Sequence, residues 1–213
     1  MDQNNAVLTI AVSKGYLLSE TLKILKKSGY EFDEEQIDSS RKLFAYDKSK
    51  NIRLLFIRPW DVSLYVEQGA ADLGIVGKDV LIEKKDNVLE LLDLDFGKCS
   101  LVLAGARAKM PLKLTHDIRI ATKYPNSAAE YFMKLGIETQ IFKMYGAIEL
   151  APLTGLSDII CDLTATGATL KENNLEIIET IFTSTARLVA NPISMRFRYQ
   201  PICDLTEKIK AIV

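Results

Sequence analysis

The sequence predicts an α/β fold, and three observations predict it. Short apolar, β-branched runs alternate with stretches whose apolar residues recur at helical spacing; glycine or proline punctuates many of the junctions; and 48% of the 213 residues are hydrophobic, enough for a sizeable core. Such alternation favours largely parallel sheets covered by helices, because two parallel strands need a crossover long enough to hold a helix.

Residues 7–12 read as the first strand, after which Leu18, Leu22 and Leu25 fall on one helical face and Gly29 is placed to end the helix. Residues 53–57 form the next apolar run. Asp61 is positioned to cap a helix through Gln68, with Gly69 as its stop, and residues 73–76 read as a strand again. Further strands are expected near residues 100–104, 118–121, 140–143 and 158–163, with Ser127 placed to cap a helix that Gly136 ends. Ile202, Leu205, Ile209 and Ile212 follow 3-4-3 spacing, so a last amphipathic helix is expected, with Pro201 in or near its first turn. That stripe is expected to pack onto the first domain, with partner docking as the alternative. A domain boundary is expected at the Asp-rich, Gly-containing turn of residues 96–98.

Composition narrows the function. Twenty-seven Lys and Arg against 28 Asp and Glu leave no net positive field to hold a nucleic-acid backbone. The three cysteines, Cys99, Cys161 and Cys203, are odd in number and lack close pairing, which favours a reduced, cytoplasmic setting. Neither a signal peptide nor an uninterrupted apolar run of about 18 residues is recognisable, so no membrane partner is expected. The sole histidine, His116, lies among Thr115, Asp117 and Arg119 and reads as an exposed loop residue, which disfavours His-rich metal sites and Ser-His or Cys-His nucleophile systems.

The sharpest chemical signal is Asp162-Leu163-Thr164-Ala165-Thr166-Gly167-Ala168-Thr169-Leu170, where an apolar strand runs into a Thr- and Gly-rich turn and a helix. That order suits a phosphate: unpaired N–H groups at a helix start, a glycine that permits close approach, and hydroxyls that donate to phosphate oxygens. The structural alternative is that Thr164 and Thr166 cap the helix while Gly167 relieves a tight turn. Neither a P-loop nor a G-x-G-x-x-G fingerprint is present.

This loop resembles the phosphoribosyl-pyrophosphate loop of the ATP phosphoribosyltransferase family, and Asp72-Leu73-Gly74-Ile75-Val76-Gly77-Lys78-Asp79-Val80-Leu81 resembles a second hallmark segment of that family. Ser13-Lys14-Gly15, Ser39-Ser40-Arg41-Lys42-Leu43 and Tyr145-Gly146-Ala147-Ile148-Glu149-Leu150-Ala151-Pro152 match further stretches in unchanged order, so the resemblance runs from about residue 7 to about residue 191. It implies a two-domain, type II periplasmic-binding-protein-like fold with the active site in the interdomain cleft. Residues 1–97 plus 185–213 would form domain I, with the ATP side and the chain termini, and residues 98–184 domain II, with the phosphoribosyl pyrophosphate loop.

The activity implied is magnesium-dependent transfer of phosphoribosyl from phosphoribosyl pyrophosphate to N1 of ATP, the first step of histidine biosynthesis. Magnesium would be held mainly through substrate phosphates, with no protein metal ligand assigned. Asp162 and Glu149 are candidates for the ribose hydroxyls; Thr164, Ala165, Thr166, Gly167, Ala168 and Thr169 for the 5′-phosphate; Asp72, Gly77 and Lys78 for ATP; Lys14 and Arg41 for catalysis at the polyphosphate, Arg41 through its guanidinium fork. Where the family often has Arg after the Lys-Gly pair, this chain has Tyr16, which carries no positive charge at neutral pH. Its length resembles the short form of the family, which works as a hetero-oligomer with a regulatory subunit similar to histidyl-tRNA synthetase. Two other readings compete: a solute-binding protein of similar fold, and a salvage phosphoribosyltransferase, whose loop typically begins with paired acidic residues where this chain has Cys161 before Asp162.

Overall fold

The computed structural model describes residues 7–33, 37, 42–106 and 117–213, so Ser39, Ser40 and Arg41 of the matching stretch at residues 39–43, and His116, lie outside the described residues. The chain divides into two units, one of Met1–Leu81, Lys85–Gly97 and Thr185–Val213, the other of Ile82–Lys84 and Lys98–Ser184.

The first unit holds β1 (Leu8–Ser13), α1 (Tyr16–Lys27), β2 (Phe44–Tyr46), β3 (Ile52–Ile57), a 3-10 turn at Pro59–Asp61, α2 (Val62–Glu67) and β4 (Leu73–Gly77). α3 (Lys78–Lys84), whose last three residues belong to the second unit, and β5 (Leu89–Asp93) follow, and after the second unit the chain returns as β11 (Ala186–Ala190), α7 (Pro192–Phe197) and α8 (Tyr199–Lys210). The strands form one six-stranded sheet in the order β2-β3-β1-β4-β11-β5. β1 is parallel to β3 and β4, whereas β2, β11 and β5 run antiparallel to their neighbours.

The second unit holds β6 (Cys99–Ala106), β7 (Ile118–Thr122), α4 (Pro125–Lys134), β8 (Thr139–Lys143), α5 (Leu150–Thr154), β9 (Ile159–Thr164), α6 (Ala168–Glu172) and β10 (Leu175–Ser184). Its five strands are ordered β10-β6-β9-β7-β8, with β7 parallel to β8 and β9, and β6 antiparallel to β9 and β10. Both sheets are therefore mixed rather than largely parallel. Strands joined by helical crossovers, such as β7-α4-β8-α5-β9, are parallel; β11 enters its sheet directly from β10 and lies antiparallel to β4.

Periodicity found the parallel strands and missed β2, β5, β10 and β11. Leu-Glu-Leu-Leu-Asp and Leu-Glu-Ile-Ile-Glu-Thr-Ile suit a helix as well as a strand, and antiparallel pairing settles them. The expected helix faces are buried as read: Leu18 and Leu25 pack with Ile10, Leu54, Leu73 and Leu188. Ile202, Leu205 and Ile209 of α8 are fully buried in the same cluster, so the terminal stripe is core rather than a docking surface. Each such side chain is worth about 1.5–3 kcal/mol.

Ser127 does not cap its helix. α4 begins with Pro125 in its first turn and no side-chain cap from Tyr124, and the buried Ser127 hydroxyl donates instead to Glu83 at 2.7 Å. Glu83 itself does the capping, accepting the N–H groups of Asn126 and Ser127, both at 2.8 Å.

Candidate active site

In the second unit the C-terminal ends of the parallel strands β7, β8 and β9 share one edge, in register at Thr122–Lys143 and Thr122–Cys161. Such an edge is where α/β sheets bind ligands. The loops leaving it carry Lys123, residues 144–149 and residues 165–167, so Glu149, Asp162 and the segment from Thr164 to Thr169 gather at one end of one sheet.

The turn after β9 organises itself. Thr164 Oγ1 accepts the Gly167 N–H at 2.8 Å and Thr166 Oγ1 accepts the Ala168 N–H at 3.3 Å. An accepting hydroxyl keeps its own proton to donate, so the threonines that cap the turn retain a donor for an incoming oxygen. Gly167 has φ +75°, a left-handed conformation that a side chain strains, while the space where a Cβ would stand meets only Ile177 at 3.9 Å. The glycine is thus required by the backbone, not by crowding from the protein.

Asp162 accepts the N–H of its neighbour Leu163 at 2.8 Å. Burial pushes its carboxyl above the ordinary 3.8; the Leu163 N–H pulls it down, the Glu149 carboxylate pushes it up, and Lys123 pulls it down. Glu149, at the start of α5, lies close enough to repel Asp162, two residues beyond Ala147, a non-glycine at φ +50°. Next door Cys161 is pushed up to about 12 by burial and lies in the core, which makes it inert as a nucleophile. Thr122 fixes the Lys123 turn by donating to the Cys161 carbonyl at 2.5 Å and accepting the Tyr124 N–H at 2.8 Å. Nothing local singles out Lys123 as a site neighbour, since Asp162, whose charge it partly offsets, is remote along the chain.

In the first unit the corresponding edge carries Lys14, Gly77 and Lys78. Lys14 follows β1 and sits exposed with its Nζ 4.9 Å from the centre of the Phe56 ring on the adjacent β3. Beside it Tyr16 packs edge-on to Phe96, ring centres 6.3 Å apart. Gly77 is a glycine for a local reason: a Cβ there would collide with the carboxylate of Asp79 in the first turn of α3. Lys78 donates its N–H to the Thr185 carbonyl at 3.0 Å and pairs through Nζ with Glu90 at 2.5 Å.

Asp72 is not brought together with Gly77 and Lys78. It precedes β4, at the opposite end of the strand, where its carboxylate accepts from Thr9 N–H at 2.9 Å, Ser194 hydroxyl at 2.8 Å and Arg198 at 2.6 Å. Its place in the ATP group is therefore corrected: Asp72 ties α7 and the following residue Arg198 to the N-terminal edge of the sheet. The aromatic side chains nearby differ in exposure, Trp60 being half-buried and Tyr65 exposed. Among the described residues no group of three or more His, Cys, Asp or Glu is arranged to hold a metal, and no helix is long and apolar enough to cross a membrane.

Comparison with known proteins gives the family. The ATP phosphoribosyltransferase family profile matches residues 58–211. An ATP phosphoribosyltransferase of Caldanaerobacter subterraneus subsp. tengcongensis is 44% identical over 97% of this chain and 98% of its own, and one of Brachyspira hyodysenteriae is 41% identical over 97% of this chain and 100% of its own. The ATP phosphoribosyl transferase (HisG:HisZ) complex from Thermotoga maritima contains a chain 37% identical, with a TM-score of 0.83, covering 97% of this chain and 98% of that one. A substrate-binding protein of an amino acid ABC transporter, 14% identical with a TM-score of 0.59 over 96% of this chain and 92% of that one, shares the type II periplasmic-binding-protein-like fold alone. With the Thr-Gly turn after β9 and identity spanning nearly the full length of these relatives, the chain belongs to the ATP phosphoribosyltransferase family and is a phosphoribosyl-transferring enzyme.

Proposed function

We propose that the protein is the short-form catalytic subunit that joins ATP to phosphoribosyl pyrophosphate, releasing pyrophosphate, at the first step of histidine biosynthesis. The observation that carries this reading is the turn after β9, where capping threonines and a left-handed glycine adjoin two neighbouring carboxylates. In the reaction the N1 lone pair of adenine forms a bond to the ribose anomeric carbon while the bond from that carbon to the pyrophosphate oxygen breaks. No protein nucleophile is needed, so the chain's task is alignment and charge stabilisation.

The roles follow from chemistry. Asp162 and Glu149 accept from the ribose hydroxyls and place negative charge near the cation-like sugar; Thr164, Ala165, Thr166, Gly167, Ala168 and Thr169 wrap the 5′-phosphate; Lys78 and Gly77 serve ATP; Lys14 and Arg41 meet the polyphosphate. Magnesium, held mainly through substrate phosphates, would neutralise the departing pyrophosphate. Mixing the protein with ATP, phosphoribosyl pyrophosphate and magnesium should yield phosphoribosyl-ATP by mass detection. Saturable binding of either substrate with no product, alone or with a regulatory subunit, would instead favour a solute-binding module on the same fold.

The relative from Thermotoga maritima was solved as a HisG:HisZ complex, which supports a hetero-oligomer for this chain. The partner we assign is a regulatory subunit resembling histidyl-tRNA synthetase, in the cytoplasm. Adding it should raise turnover and confer inhibition by histidine; strong histidine inhibition of the isolated chain, with no partner bound in sedimentation, would overturn that assignment.

A further inference from the structure

On β5 and β11 the register pairs Arg187 with Asp93 and Leu188 with Leu92, then shifts so that Val189 faces Glu90 and Leu91 is skipped. In a regular strand residues three apart point to opposite faces. The irregularity re-aims one of them, as bulges do, and Arg187 consequently reaches both carboxylates, Glu90 at 3.2 Å and Asp93 at 2.8 Å. Glu90 then presents its other oxygen to Lys78 Nζ at 2.5 Å. Asp93 also accepts the hydroxyl of Thr185 at 2.8 Å, and the Thr185 carbonyl accepts the Lys78 N–H. The start of α3 is thereby held at both the backbone and the side chain of Lys78.

We propose that Glu90 is a positioning residue for ATP, holding the Lys78 ammonium in one orientation through a carboxylate that Arg187 anchors. This rests on the assignment of Lys78 to the ATP site. A lysine ammonium has three donors on a flexible stem. One is taken by Glu90; the side chain remains about one-third exposed, 34%, so the other donors are accessible to phosphate oxygens. Arg187 would keep Asp93 without Glu90.

The test is steady-state kinetics on four variants, with melting temperatures beside them. Glu90→Gln is expected to raise KM for ATP about three- to tenfold, with kcat and KM for phosphoribosyl pyrophosphate within about twofold of the parent. Lys78→Ala should raise KM for ATP at least as much, and the double variant should be no worse than Lys78→Ala, because Glu90 acts through it. Asp93→Asn, which loosens Arg187 but leaves the Glu90–Lys78 pair itself in place, should shift the melting temperature and raise KM for ATP by less than Glu90→Gln does. An unchanged or lowered KM for ATP in Glu90→Gln, additive effects in the double variant, or the same kinetic change in Asp93→Asn would each overturn the proposal. Should Lys78→Ala leave KM for ATP unchanged while product still forms, the Lys78 assignment and this inference fall together and the transferase reading stands; absence of product from the parent protein with its partner would sink the transferase reading instead.

Discussion

The end of β4 and the end of β9 handle charge in opposite ways. At the first, Lys78 and Arg187 face Glu90 and Asp93, cation against carboxylate at 2.5, 3.2 and 2.8 Å, so the group is electrically settled before any ligand arrives. At the second, Asp162 is held half-buried with a second carboxylate, Glu149, within repelling distance and Lys123 only partly opposing it. The first arrangement is stable in itself and fixes geometry. The second costs stability, and a cost of that kind persists at sites where the charge is used.

The largest break in this comparison is expected from the turn that serves the second group. Gly167→Val forces a β-branched residue into φ +75°, which costs about 1–3 kcal/mol of backbone strain or flips the turn and separates the two threonine caps. KM for phosphoribosyl pyrophosphate should rise about 10- to 100-fold while KM for ATP changes little. Unchanged kinetics in a folded variant would remove the turn from the site.

Asp162→Asn sharpens the contrast, because it should trade activity for stability. Burial and Glu149 raise the Asp162 pKa in the folded state, so the folded protein binds this proton more readily than the unfolded chain does; the penalty is absent below the ordinary 3.8 and complete once pH exceeds the folded value. The variant should melt higher than the parent at pH 7–8, the gain should shrink on acidification, and kcat should fall about tenfold or more. A melting temperature that drops at neutral pH would show that Asp162 is a structural acceptor rather than a strained site group.

How far the sequence carried each region follows from the range of the interactions. The α/β class, β1, β3, β4, α1 and the strand-turn-helix at Asp162 to Thr169 were legible because period, caps and a turn glycine act within a few residues. Mixed sheet direction was not, since β11 enters its sheet directly from the other unit. Nor was the role of Glu83, whose partners Asn126 and Ser127 lie 43 and 44 residues away, or of Glu90, which meets Arg187 from across a strand pair. Adjacency misled at Asp72: it stands five positions before Gly77, but those five span the length of β4 and separate their chemistry.

That correction makes the next prediction. Asp72→Asn leaves Arg198 beside a neutral amide and weakens the tie from Thr9, Ser194 and Arg198, so it should lower stability by about 1–3 kcal/mol with KM for ATP unchanged. Urea midpoints measure the first and initial rates the second. A large rise in KM for ATP without loss of stability would restore Asp72 to the ATP site.

The smallest effect is expected from Asp93, and it tests the claim that the first group is settled. Burial alone would raise its pKa, but the Asp95 N–H, the Thr185 hydroxyl and Arg187 outweigh burial and hold the carboxyl below the ordinary 3.8. A depressed folded value means that the unfolded chain takes up the proton first, so the stabilisation is complete above 3.8 and disappears as pH falls through the folded value. The Asp93 side chain is 44% exposed, so solvent screening limits the contribution to under about 1 kcal/mol. Comparing urea midpoints of the parent and Asp93→Asn from pH 3 to 7 should therefore give a small difference that is constant above about pH 5 and closes toward the acid end. The difference should also shrink in high salt, because the Arg187 contribution is screened while the Thr185 and Asp95 hydrogen bonds persist. An Asp93→Asn variant that is instead more stable than the parent at pH 7, with that gain shrinking on acidification, would mean that Asp93 is held against its charge, as Asp162 is, and the two ends of the comparison would no longer differ in kind.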